Sequence, residues 1–362
     1  MKIRAMLLLG FFLLIASPLF GGLSKGLDSA FFEFPPLTQY IRHAPFSWPV
    51  FVLFGALEVL GFGLLARPSW FGFKREPGDL TFDAQRLELP RWFWFGLILN
   101  VLSWICTWGR FDWLGFMKDH LFFPLWLGYI LVMDGLVFRR IGSSILSRSP
   151  RKFVALFPAS AIVWWYFEYL NRFMQNWWYD GVTLFSGLHY ALFATLCFST
   201  VLPAIFETAE WLSSFAWFRT AYSNGPRWPP VKPSALIAIV SAGILGLVLL
   251  TMFPNTFFFM TWLAPLAILA GCFGLAGMPT PFSDLKDGNY TCLFTLAAAA
   301  LVCGFFWEMW NFFSLPKWHY TVSYVTRWKI FEMPVAGYAG YLPFGPICWC
   351  LWEGIRKFAM KR

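Results

Sequence analysis

Trp164-Trp165-Tyr166-Phe167-Glu168-Tyr169-Leu170-Asn171-Arg172-Phe173 and Gly304-Phe305-Phe306-Trp307-Glu308-Met309-Trp310-Asn311-Phe312-Phe313 decide how this chain is read, because the second stretch is a near copy of the first. Each closes a long apolar run with a Glu and an Asn at i, i+3. A constant offset of 140 residues relates Glu168 to Glu308 and Asn171 to Asn311, and extends through Trp178 to Trp318 and Leu202-Pro203 to Leu342-Pro343. A repeat of this kind constrains architecture before any single residue is interpreted.

Composition places the repeat in a membrane. The chain has 362 residues, of which 58% are hydrophobic and only 13% charged. Soluble proteins carry roughly a quarter charged residues. The 22 Trp and 44 Phe suit helices that face lipid and end in interfacial aromatic belts. A helix needs about 20 apolar residues to cross a hydrocarbon core. On that measure about ten spans emerge, near 5–22, 48–66, 92–109, 121–138, 153–170, 189–212, 234–253, 256–276, 290–307 and 335–354. The first follows Lys2 and Arg4 and lacks a clean A-x-A cleavage site, so it reads as a retained helix rather than a signal peptide. The fold class is therefore all-α: a polytopic integral membrane helical bundle of about ten transmembrane helices with an internal parallel duplication. Its regions are 1–140 (about four helices), 141–222 (first repeat half), a Pro-rich linker at 223–233, and 234–362 (second half with an added helical hairpin).

The net charge of +9 follows from topology and gives no reason to expect nucleic acid. With both termini inside, 20 of the 28 Lys and Arg fall in inner segments, including Arg75, Arg86, Lys361 and Arg362. That asymmetry predicts cytoplasmic termini in the cell's inner (plasma) membrane. Both Glu-x-x-Asn motifs then lie near the outer interface, and their helices run in the same direction.

Candidate chemistry follows from the polar residues in apolar surroundings. A carboxylate there is costly when charged and seeks a partner, and an Asn one turn away on the same face can supply it. Glu168, Asn171, Glu308 and Asn311 are the candidate catalytic groups, although tying down the following loop would explain them as well. Trp164, Trp178, His189, Trp307, Trp318, His319 and Glu207 are candidates to line a substrate site. His189 and His319 could combine with the two Glu as metal ligands, but no His-x-x-x-His or Glu-x-x-His spacing supports this, and no metal is expected. Pro203 should loosen its helix and expose carbonyls, with Glu207 and Glu210 below it balanced by Arg219. Glu58 and Asn100 are mid-membrane and could bond to each other. Asp134, close to Arg139, reads as an interface residue. The seven Cys lie in or beside apolar segments without metal or disulfide spacing. No G-x-S-x-G, Walker A, G-x-G-x-x-G or H-E-x-x-H pattern occurs, and no cofactor is expected.

The run Trp307-Glu308-Met309-Trp310-Asn311, Lys317-Trp318-His319-Tyr320 and Phe331-Glu332-Met333-Pro334 resembles the lycopene cyclase-type membrane domain. The resemblance covers some 50 residues in each half. It implies two related parallel halves and the protonation and cyclisation of long isoprenoid polyenes without net redox change. The Pro-x-Glu-Glu motif of that family before the last helix is replaced here by Glu332-Met333-Pro334 and Pro343-Phe344-Gly345-Pro346.

Three functions stay open on the sequence. The first is an intramembrane lyase- or isomerase-type enzyme acting on an isoprenoid or lipid by Glu-based acid–base chemistry. The second is a transporter or channel-like protein with polar residues between two parallel halves. The third is a membrane scaffold whose aromatic outer loops bind a partner. Membrane lipids are the expected partners; the sequence names no protein partner.

Overall fold

A computed structural model describes residues 2–74 and 87–359; Arg75, Arg86, Lys361 and Arg362, counted above among the inner charges, lie outside the described residues. The chain is an all-α polytopic bundle. Its helices are α1 (Lys2–Lys25), α2 (Trp48–Ala66), α3 (Arg91–Gly109), α4 (Phe122–Ile141), α5 (Ile145–Arg148), α6 (Pro150–Met174), α7 (Gly187–Phe198), α8 (Val201–Ser213), α9 (Ala216–Tyr222), α10 (Pro233–Met252), α11 (Pro254–Phe257), α12 (Met260–Ala276), α13 (Thr291–Phe312) and α14 (Tyr341–Ala359). Strand β1 (Trp177–Asp180) pairs antiparallel with β2 (Lys317–Tyr320), and β3 (Lys329–Ile330) pairs with β4 (Met333–Pro334).

Among the described residues eight helical segments are long and apolar enough to cross a membrane, with α7 and α8 counted together. The two remaining expected spans are α12, which is 17 residues long, and α14, which carries Glu353, Arg356 and Lys357 near its end. Proline marks the entry of α2, α6 and α10, where a missing N–H costs nothing. The sixth expected span is not continuous. It breaks at Ser199-Thr200, because Pro203 cannot donate to the carbonyl of residue 199 and crowds it. Ser160 of α6 bridges the gap: its hydroxyl donates to the Phe198 carbonyl at 2.6 Å and accepts from the Leu202 N–H at 3.0 Å. The loosened backbone expected at Pro203 is thus present, and Ser160 takes the place of the missing Leu202-to-Phe198 bond across the break.

Helix association in lipid rests on close packing and hydrogen bonds, since lipid tails are as apolar as Leu. Two contacts illustrate this. A Cβ on Gly345 of α14 would stand 2.0 Å from the Leu296 carbonyl oxygen of α13. One on Gly128 of α4 would stand 2.5 Å from the Asn100 backbone nitrogen of α3. Asn100 donates from Nδ2 to the Leu125 carbonyl at 2.9 Å, so it ties α3 to α4 rather than meeting Glu58. At the centre of the bundle α13 packs on α14 and α8, and α6 packs on the same two helices. Helix α1 packs on α10 and α12. An aromatic core fills the α4–α13 seam, with the Trp126 ring centroid 5.0 Å from those of both Trp307, which is tilted to it, and Trp310, which it meets edge-on.

Candidate functional site

The two Glu-x-x-Asn helices, α6 and α13, end side by side beneath the β1–β2 ladder, so both run toward the same end of the bundle. Each Asn works as a backbone clamp. Asn171 donates from Nδ2 to the Trp177 carbonyl at 2.7 Å and accepts from the Trp177 N–H at 3.3 Å. Asn311 does the same to Trp318, at 2.8 Å in both directions. The side-chain amide imitates a strand partner and fixes where the ladder starts. The expected bond from each Asn to its own Glu is replaced by this grip, which makes the Asn residues positioning groups.

The Glu residues hold side chains instead. Glu168 Oε1 accepts from Tyr179 Oη at 2.6 Å, Trp177 Nε1 at 2.9 Å and Trp164 Nε1 at 3.1 Å. Glu308 Oε1 accepts from Tyr320 Oη at 2.7 Å and Tyr341 Oη at 2.9 Å, and Trp318 Nε1 donates to Tyr320 Oη at 2.9 Å. Glu308 is fully buried, and its Oε2 has no hydrogen-bond partner among the described residues.

Register in the ladder follows from the clamps. Trp177 lies opposite Tyr320, Tyr179 opposite Trp318, and Trp178 opposite His319. The correspondence between the two stretches is therefore Trp177 with Trp318 and Tyr179 with Tyr320, an offset of 141; the uniform 140 that paired Trp178 with Trp318 slips by one residue before the strands. Successive strand side chains point to opposite faces. Trp177, Tyr179, Trp318 and Tyr320 consequently face the bundle, while Trp178 and His319 stack on the other face with ring centroids 4.7 Å apart.

Beneath the ladder lies a cavity of about 130 Å³. Its wall includes Trp164, Trp177, Tyr179, Trp307, Trp318, Tyr320, Tyr341 and Phe344, with Phe198 and Val201 from the two sides of the α7–α8 break. Three hydroxyls that bond the buried carboxyls, from Tyr179, Tyr320 and Tyr341, thus belong to one predominantly aromatic enclosure. The carboxyls themselves stand one side chain behind its wall.

Of the residues expected to line a site, Trp164, Trp307 and Trp318 line this cavity, and Trp178, His189, His319 and Glu207 do not. Strand alternation turns Trp178 and His319 away. His189 meets His120, Nε2 to Nε2 at 2.8 Å, and stacks on Phe185 at 4.1 Å. His319 Nδ1 bonds Glu332 at 3.2 Å, so the two His sit in separate clusters. Lys317 also reaches Glu332, at 2.5 Å. Burial pushes the Glu332 carboxyl up, but the Lys317 hydrogen bond and charge, with His319, outweigh it and hold it below the usual carboxylate range. Glu207 is buried toward the opposite end of the bundle, with Asp134 and Glu210 as acidic neighbours. Asp134 is fully buried and accepts from Trp92, Ser144 and the Leu146 N–H, which replaces the interface role expected of it. Glu210 forms an ion pair with Arg148.

Tyr179, Tyr320 and Tyr341 carry the contacts that reading from Glu and Asn alone misses. The signal for two of them is the Trp-x-Tyr that follows each Asn, at 177–179 and 318–320. No protein-family model, no curated protein and no solved structure matches the chain.

Proposed function

We propose that this protein is an intramembrane enzyme that performs acid–base chemistry on an isoprenoid or other long lipid chain. One observation carries the reading: two carboxyls, Glu168 and Glu308, each accept from the hydroxyls of Tyr residues whose side chains line the same apolar cavity. A Tyr between a carboxyl and a substrate can pass a proton in either direction while keeping the carboxyl out of the apolar space. A cavity of about 130 Å³ is close to the roughly 150 Å³ that takes up benzene in an engineered protein, so it suits the reacting end of a lipid rather than the whole chain. The surrounding indole and phenol faces favour a developing cation.

The resemblance to lycopene cyclase-type domains points the same way. The recurrence of clamp, carboxyl and Trp-x-Tyr supports an ancestral parallel duplication. The Lys and Arg distribution supports an inner-membrane location with cytoplasmic termini, which sets the ladder at the outer face.

Comparing lipid extracts by mass spectrometry from cells carrying wild type and Glu308→Gln tests the reading. A lipid or pigment that accumulates or disappears in the variant is the expected result. Identical profiles, with both proteins present in the membrane at equal levels, reject the enzyme.

A further inference from the structure

Besides their different donors, the two carboxyl sites differ in what lies behind them. Glu308 is sealed, whereas Glu168 also borders a second recess of about 20 Å³, shared with Gln39, Arg172, Gln175 and Trp178. A space of this size holds one water, which needs only about 10–15 Å³. Gln39 is exposed, so the recess runs from the protein surface to a buried carboxyl.

Its roof is a strap formed by residues 33–43, and the last turn of α6 secures it. Gln175 Oε1 accepts from the N–H groups of Tyr40 and Ile41 at 2.7 and 2.8 Å, and its Nε2 donates to the Thr38 carbonyl at 2.8 Å. Arg172 Nη2 donates to the Glu33 carbonyl at 2.5 Å, and Tyr40 Oη donates to the Arg172 carbonyl. His43 Nε2 meets the Met174 carbonyl at 3.0 Å. At the uniform offset Arg172 becomes Phe312 and Gln175 becomes Leu315, and the carbonyls of that turn are taken up by Arg110 and Lys317 instead. The Arg172 and Gln175 side chains that border the recess at Glu168 are thus absent at Glu308.

We propose that the recess holds water continuous with the aqueous phase on the ladder side, and that it is the port through which Glu168, and not Glu308, exchanges protons. The functional weight of this assignment rests on the acid–base reading above. A proton given to substrate by Tyr179 is replaced from Glu168, and Glu168 is recharged by recess water, which regains its proton from bulk. Only O–H bonds on the protein and water change, and no oxidant or reductant is required.

X-ray hydroxyl-radical footprinting of the full chain in lipid nanodiscs, without substrate, tests the port directly. Trp177 and Tyr179 line both spaces, while Trp318 and Tyr320 line the cavity and not the recess. Water in the recess should make the first pair react several-fold faster than the second, and Gln39→Phe should remove the excess without changing the melting temperature. Equal rates in wild type overturn the port, as does an excess that survives Gln39→Phe. Should Gln39→Phe unfold the strap, the wild-type comparison of Tyr179 with Tyr320 still decides. Equal rates combined with an altered lipid profile in Glu308→Gln reject the port alone. The predicted excess combined with an unchanged profile rejects the enzyme alone.

Discussion

Trp178 and His319 face each other in the β1–β2 ladder, their ring centroids 4.7 Å apart. The pairs on either side are reciprocal, Trp177 with Tyr320 and Tyr179 with Trp318, and Asp180 with Lys317 lies beyond them. The alternation of side chains about this pair sets which ladder residues face inward. It also explains why these two residues take no part in the cavity, since their neighbours on each strand take the inward face.

The Asn clamps should be structural. Replacing Asn311 by Ala leaves the Trp318 N–H and carbonyl without their partner, at about 1–3 kcal/mol for each buried group. Asn171→Ala removes the matching pair of bonds at Trp177, so both variants should lower the melting temperature in detergent. Equal melting temperatures for wild type and both variants would contradict the clamp.

Tyr320 and Tyr341 share one acceptor atom, Glu308 Oε1. Tyr320→Phe and Tyr341→Phe should each be tolerated, since one donor remains, whereas the double variant strips the carboxyl of both. A double-mutant cycle on thermal stability should show coupling of about 0.5–3 kcal/mol, the range for residues in one hydrogen-bond network. Strict additivity would mean that the two hydroxyls act independently.

Acid should loosen the strap at His43. Burial holds this imidazole below its usual range even though its bond to the Met174 carbonyl pulls the other way. The unfolded segment therefore takes up a proton first, at about pH 6.5. Stability of the strap falls as pH drops through that value and stops falling once the lower folded value is passed. Hydrogen exchange of residues 33–43 should quicken between pH 7 and 5.5, and His43→Gln should flatten the dependence.

Glu332 behaves in the opposite region of pH. Its folded carboxyl is held low, so its contribution is present above the unfolded value of about 4.3 and disappears as pH falls through the folded one. The difference in melting temperature between wild type and Glu332→Gln should shrink as the pH falls below about 4. A difference that persists at lower pH would separate Glu332 from its Lys317 and His319 contacts.

Gly345 tests the packing of α13 on α14. Ala at this position places a methyl 2.0 Å from the Leu296 carbonyl oxygen, and backbone cannot yield as a side chain would. Destabilisation of about 1–3 kcal/mol or more is expected. A normal melting temperature for Gly345→Ala would show that the helices stand further apart.

What the sequence determined by itself is the membrane bundle, the positions of its long helices and the pairing of Glu168-x-x-Asn171 with Glu308-x-x-Asn311. Length, hydropathy and self-similarity are properties of the chain read along its own axis, and lipid leaves few ways to satisfy a backbone other than a helix. Only the tertiary structure decided what each polar group does. Asn171 and Asn311 bond residues six or seven positions ahead, after the chain has turned, so their helical spacing to Glu carried no information about that partner. The one-residue slip between the copies, which exchanges Trp178 for Trp177 at the cavity, becomes visible only when two strands 140 residues apart align and alternate their faces. Tyr341 reaches Glu308 from another helix, and the strap reaches α6 from residues 33–43, by packing that no local pattern encodes.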